Sequence, residues 1–153
     1  MARIVDLALE ASEVLRSYSA VHEELLGASI RRWTFIAGLR KPIDFPGLEK
    51  RLMDLESKLA DIRTELAGLS AEELTKRAKE DLRIELDMYA RALARAIDKL
   101  RVICRRMDEA DKTRDARAAY TTEQLNCDKV AYDYAVQKYK RHGMRLNRLL
   151  SSY

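Results

Sequence analysis

Two histidines, His22 and His142, and two cysteines, Cys104 and Cys127, are the side chains of this 153-residue sequence best suited to metal or nucleophilic chemistry. Their spacing offers neither. A di-iron bundle needs Glu-x-x-His pairs that project inward, yet Ser19 and Tyr139 stand three residues before the histidines. The cysteines form no CxxC pair, which argues against a zinc site or a disulfide framework. Reduced, buried thiols are the expectation, and with them an intracellular reducing compartment. No glycine loop that could cradle a phosphate and no nucleophile elbow occurs. The carboxylates Glu80, Asp81, Glu85 and Asp87 surround Arg83, and so read as a solvated helix face rather than an acid–base pair. The residues predict no catalysis, no cofactor and no metal. His142 falls on an apolar seam and is expected to be a hydrogen-bonded core histidine.

Charge is the second source of chemistry. Residues 134–153 hold Lys138, Lys140, Arg141, Arg145 and Arg148 and no acid. That segment carries more than the whole chain's net +4, so the basicity belongs to the C-terminal helix. Tyr132, Tyr134, Tyr139 and Tyr153 are interleaved with these cations. Basic and aromatic surfaces suit single-stranded nucleic acid, and basic amphipathic helices suit anionic membranes. The plain alternative is a solvated helix whose cations meet an acidic neighbour. Trp33, beside Arg31 and Arg32, suits either an interface anchor or a core plug. Phe45 and the cations at 138, 140, 141, 145 and 148 complete the candidate contact residues; no small-molecule substrate is expected.

Helices must position these residues. The sequence is 47% hydrophobic and 35% charged with 5 Gly and 2 Pro, a composition that favours long helices over a mixed fold. Leu48, Leu52, Leu55, Leu59, Ile62, Leu66 and Leu69 repeat in steps of four and three, the seam of a helix that needs a partner. A first seam runs from Ile4 through Leu7, Ala11, Val14, Tyr18, Val21 and Leu25 towards Phe35 and Leu39. A third runs from Leu82 through Leu86, Tyr89, Leu93, Ala96, Leu100, Ile103 and Met107 to Ala110. Ala90, Ile97 and Cys104 widen it, as in a bundle. The fourth holds Leu125, Tyr132, Ala135, Tyr139, Leu146, Leu149 and Tyr153, with Asp128 and His142 at two seam positions. Asp128 either lies where the seam frays or makes a buried polar contact that fixes register. No period-two stretch suggests a strand.

These patterns predict an all-α single domain over 1–153, an elongated bundle of three or four long helices with antiparallel coiled-coil packing. The approximate helices are 2–38, 47–67, 70–112 and 121–150. Pro42 and Pro46 place an elbow at 40–47. Gly68 and a Ser70–Glu73 capping box imply a tight reversal. Residues 111–115 lack Gly and Pro, so helices three and four could be continuous or joined by a loop. Gly143 marks a weak point. No apolar run reaches the ~20 residues that a bilayer needs, and the N-terminus does not read as a secretory signal. The Leu48–Leu69 ladder is shorter than its neighbours, which predicts surplus seam that other proteins would cover.

Three landmarks resemble the mitochondrial F-type ATP synthase peripheral-stalk subunit d. Trp33 ends an N-terminal helix of similar length. Pro42-Ile43-Asp44-Phe45 is similar to that family's elbow with Ile-Asp-Trp. Thr122-Glu123-Gln124-Leu125-Asn126 is similar to its Thr-x-Glu-Asp-Leu-Asn stretch. The chain departs from the family at its C-terminus, where a basic helix replaces a Pro- and aromatic-rich segment. The resemblance implies a non-catalytic subunit packed along other helices of a stator, on the mitochondrial matrix side. It carries over no site residues. The alternative is a helical adaptor that binds nucleic acid or an anionic membrane through its basic C-terminal helix.

Overall fold

The computed structural model describes residues 3–27, 43–74, 77–112 and 120–152. Four α-helices and no strand occur among them: α1 Arg3–His22, α2 Phe45–Ala67, α3 Arg77–Lys112 and α4 Thr122–Ser151. A π-helical turn, Glu23–Gly27, extends α1. The all-α bundle is thus as the seams predict.

Cross-helix ion pairs set the directions. Arg3 meets Glu65 while Arg51 meets Glu24, so α1 and α2 run antiparallel. Arg105 meets Glu49 while Arg63 meets Asp87, which makes α2 and α3 antiparallel. Arg106 meets Asp128 while His142 meets Glu85, and α3 and α4 are antiparallel in turn. α3 packs on all three other helices. That is why its stripe is wide: Ala90, Ile97 and Cys104 are buried as fully as Leu86 and Leu93. Each fully buried Leu or Ile contributes roughly 1.5–3 kcal/mol relative to exposure.

Helix boundaries differ from the sequence expectation in two places. α2 begins at Phe45, so Pro46 and Gly47 lie inside the helix rather than in an elbow. The first turn needs no backbone donors, so Pro46 costs nothing there. The Asp44 carboxylate caps it, accepting from the Gly47 N–H at 3.1 Å. α3 begins at Arg77 rather than at residue 70. The Ser70–Glu73 box forms, with the Ser70 N–H donating to the Glu73 carboxylate at 2.8 Å. It closes a turn whose carbonyls accept from three residues ahead, as Ser70 O does from the Glu73 N–H at 3.0 Å. Residues 28–42 lie outside the described residues, and with them Trp33, Phe35, Leu39, Pro42 and the expected helix end at Gly38.

α4 begins where Thr121 caps it, the hydroxyl accepting from the Gln124 N–H at 3.3 Å. The helix continues through Gly143. A Cβ at that position would stand 3.2 Å from Cε2 of Tyr89, so the missing side chain lets the Tyr89 ring lie against α4. The surplus-seam expectation fails for α3. From Leu82 to Met107 its seam is buried within this chain, with α2 and α4 both packed along it; Ala110, the last position of that seam, is half-buried.

Candidate interaction surface

Three polar contacts fix the rotation of α4 about its axis. Near its start, one nitrogen of Arg106 reaches both oxygens of Asp128 at 2.8 Å. The Tyr120 hydroxyl donates to the same carboxylate at 2.9 Å. Asp128 is half-buried, so it is a register contact between helices and not a frayed position. Near the far end, His142 Nδ1 lies 2.6 Å from Glu85 Oε1, both side chains nearly buried. His142 is thus the hydrogen-bonded core residue its seam position predicts.

The third contact joins α1 to α4 through an aromatic cluster. The Tyr132 hydroxyl bonds the Tyr18 hydroxyl, and His22 Nδ1 lies 2.6 Å from Tyr132. His22 stacks on Tyr132 with ring centroids 5.6 Å apart. Tyr139 sits edge-on to both Tyr18 and Tyr89. Burial pushes the Tyr18, Tyr132 and Tyr139 phenols above their ordinary range, so all three stay neutral. Burial also holds the His22 imidazole below its ordinary 6.5. Nearby Glu23 and Asp133 pull it up, and Lys140 and Lys129 push it down. A neutral His22 lets Nδ1 accept from Tyr132 while Tyr132 accepts from Tyr18, so the chain runs in one sense.

With its inner face held this way, α4 presents one outward line. At ~100° per residue, Val130, Lys138, Arg141, Arg145 and Arg148 all fall within about 40° of Tyr134. Val130 is 70% exposed and Tyr134 74%, and the four cations are exposed. Lys140 departs from the line by about 120° and lies instead on the side of His22. No carboxylate pairs with Lys138, Arg141, Arg145 or Arg148 among the described residues, whereas arginines on all three other helices have such partners. Lys138–Arg141, Arg141–Arg145 and Arg145–Arg148 are like-charge neighbours at helical spacing, an arrangement that disfavours the helix. Only the last-turn Arg148 is offset by the helix dipole.

Several expectations change here. Phe45 is 3% exposed in the core, and its carbonyl accepts from the Cys104 thiol at 3.5 Å; it is a core plug, not a contact residue. Tyr132 and Tyr139 are buried, so of the interleaved aromatics Tyr134 alone among the described residues is on the surface. Cys104 is buried, its thiol pushed up to about 12 by burial with Glu49 and Asp108 beside it. Cys127 is exposed, because it falls on the outward line of α4 and not on the seam. The Tyr18–Tyr132–His22 network escaped the sequence reading. Its members do sit at seam spacing, Tyr18 with His22 and Tyr132 with Tyr139, but a pairing across more than a hundred residues leaves no local signal.

Among the described residues, no group of His, Cys, Asp and Glu is placed to hold a metal ion, and no helix is long and apolar enough to cross a membrane. No family model, curated protein or solved structure matches this chain.

Proposed function

We propose that this chain is a non-catalytic helical subunit that docks on other proteins of an assembly through the outward line of α4. The observation that carries the reading is the row Lys138, Arg141, Arg145 and Arg148, exposed and without carboxylate partners among the described residues, on a helix whose rotation is otherwise fixed. Like charges at that spacing are a cost to the free helix, and a complementary surface would remove it. A mitochondrial stator stalk is the candidate assembly. That placement rests on the resemblance carried by Trp33, by Pro42-Ile43-Asp44-Phe45 and by the 122–126 stretch.

Native purification tests the reading, with the mass of the complex and the identities of its companions measured. A defined complex of constant composition is expected. Recovery as a lone monomer across physiological salt would overturn it.

Nucleic acid or an anionic membrane is the second reading, favoured by the same cations. The burial of Tyr132 and Tyr139 removes most of the aromatic platform that stacking on single strands requires.

A further inference from the structure

We propose that the partner seated on α4 is an acidic amphipathic helix, laid lengthwise along residues 130–148. The inference rests on the interaction-subunit reading above and names the chemistry of its partner. Tyr134, Lys138, Arg141, Arg145 and Arg148 follow one another in steps of four and three. At ~1.5 Å per residue the row is about 21 Å long with a cation every ~5 Å. A second helix has its own side chains at this period, so carboxylates in the same steps meet the cations one for one. The row is one cation wide. Its other end is apolar: Val130 and Tyr134 are bare, and Met144 is exposed on its flank. The matching partner therefore carries an apolar residue or two at one end and Asp or Glu along the rest.

Other polyanions fit less well. A single strand of RNA gains from successive stacking platforms, and Tyr134 is the one aromatic exposed on the described part of α4. An interfacial helix sinks an apolar face among lipid headgroups, but the apolar face of α4 is inside the bundle, against α3 and α1. Lys140 and Asp133 lie to one side and bear on His22.

The test uses the full chain and a dye-labelled helical peptide of about three heptads. Its glutamates stand in alternating steps of three and four, and two leucines sit at one end. Fluorescence anisotropy gives its affinity. The comparison probes are a scrambled peptide of the same composition, oligo-uridine, and phosphatidylserine–phosphatidylcholine vesicles. We expect saturable binding that is tightest for the patterned peptide. The R141E/R145E variant should weaken it about tenfold through the loss of two ion pairs and the creation of two repulsions. A peptide with lysines opposite the new glutamates should restore it. Both sites are exposed, and an unchanged circular dichroism spectrum confirms that the variant folds. Tyr134→Ala should weaken binding at every salt concentration, since its contact is apolar.

Equal binding of the scrambled peptide overturns the proposal, as does tighter binding of oligo-uridine or vesicles, or an unchanged affinity in R141E/R145E. The same variant separates this inference from the reading beneath it. If R141E/R145E still purifies in the native complex at full yield, the acidic-helix proposal falls, and docking through the α4 row falls with it, while membership of an assembly stands. If the unaltered chain purifies alone, both fall.

Discussion

Replacing Tyr132 by Phe removes one oxygen and nothing else from a fully buried side chain. That oxygen bonds the Tyr18 hydroxyl and lies 2.6 Å from His22 Nδ1. Each neutral hydrogen bond contributes about 1 kcal/mol net, and a stranded buried donor costs about 1–3 kcal/mol. The two partners differ in what they lose. His22 is half-buried and can turn to water, so its loss is small. The Tyr18 hydroxyl is buried and bears the larger share. The expected destabilisation is about 1–2 kcal/mol, or roughly 2–8 °C in Tm for a chain of this size. Tyr18→Phe alone should cost a similar amount. The double variant should cost less than the sum by about 1 kcal/mol, since each single change already breaks the shared bond. Urea unfolding of the four proteins, followed by far-ultraviolet circular dichroism, measures the cycle. Additive effects, or a Tyr132→Phe variant as stable as the wild type, would show that the two hydroxyls do not act as one unit and that α4 is held against α1 by apolar contact alone.

Three further outcomes follow from the same structure. The His22 pKa is depressed in the fold, so below about 6.5 the unfolded chain takes up a proton that the folded chain resists. Stability should therefore fall as pH drops from 6.5 towards the folded pKa, and His22→Gln should remove that part of the slope in melts taken at several pH values. Leu93→Ala should cost about 3 kcal/mol by opening a cavity beneath α3, while Leu9→Ala, at a largely exposed site, should stay within about 0.5 kcal/mol; equal costs in urea titrations would contradict the helix rotations described above. A maleimide should label Cys127 in the folded protein within minutes and reach Cys104 only in denaturant, because the Cys104 thiol is buried and held near pKa 12; rapid double labelling of the native chain, read by mass spectrometry, would mean that α2 and α3 part readily.

Secondary structure was legible because it is written in local periods. Leu48 to Leu66 alone names α2, and the 82–107 stripe names α3, since an apolar face at 3.6 residues per turn has few other uses. The width of the α3 stripe pointed to a bundle rather than a two-stranded seam. Helix starts were less legible. Whether Pro46 breaks a helix or begins one depends on a cap, and the Asp44 carboxylate decided that only by turning onto the Gly47 N–H. Ser70 and Glu73 made the expected box, yet it closed a turn.

What the sequence alone determined is the set of stripes and the excess of cations near the C-terminus. Which stripe covers which was decided by the tertiary structure. Steps of three and four fix the face of a helix but not the partner against it, and each seam here would satisfy any other of similar length. The ion pairs Arg105–Glu49 and Arg106–Asp128 and the His142–Glu85 contact form only in the pairing that the fold adopts. Once α4 had closed over α3, the surplus seam expected of α3 from Leu82 to Met107 was gone and Tyr132 and Tyr139 had turned inward. Lys138, Arg141, Arg145 and Arg148 were left in a single outward row, because a buried cation without a partner would have cost more than the fold could offset.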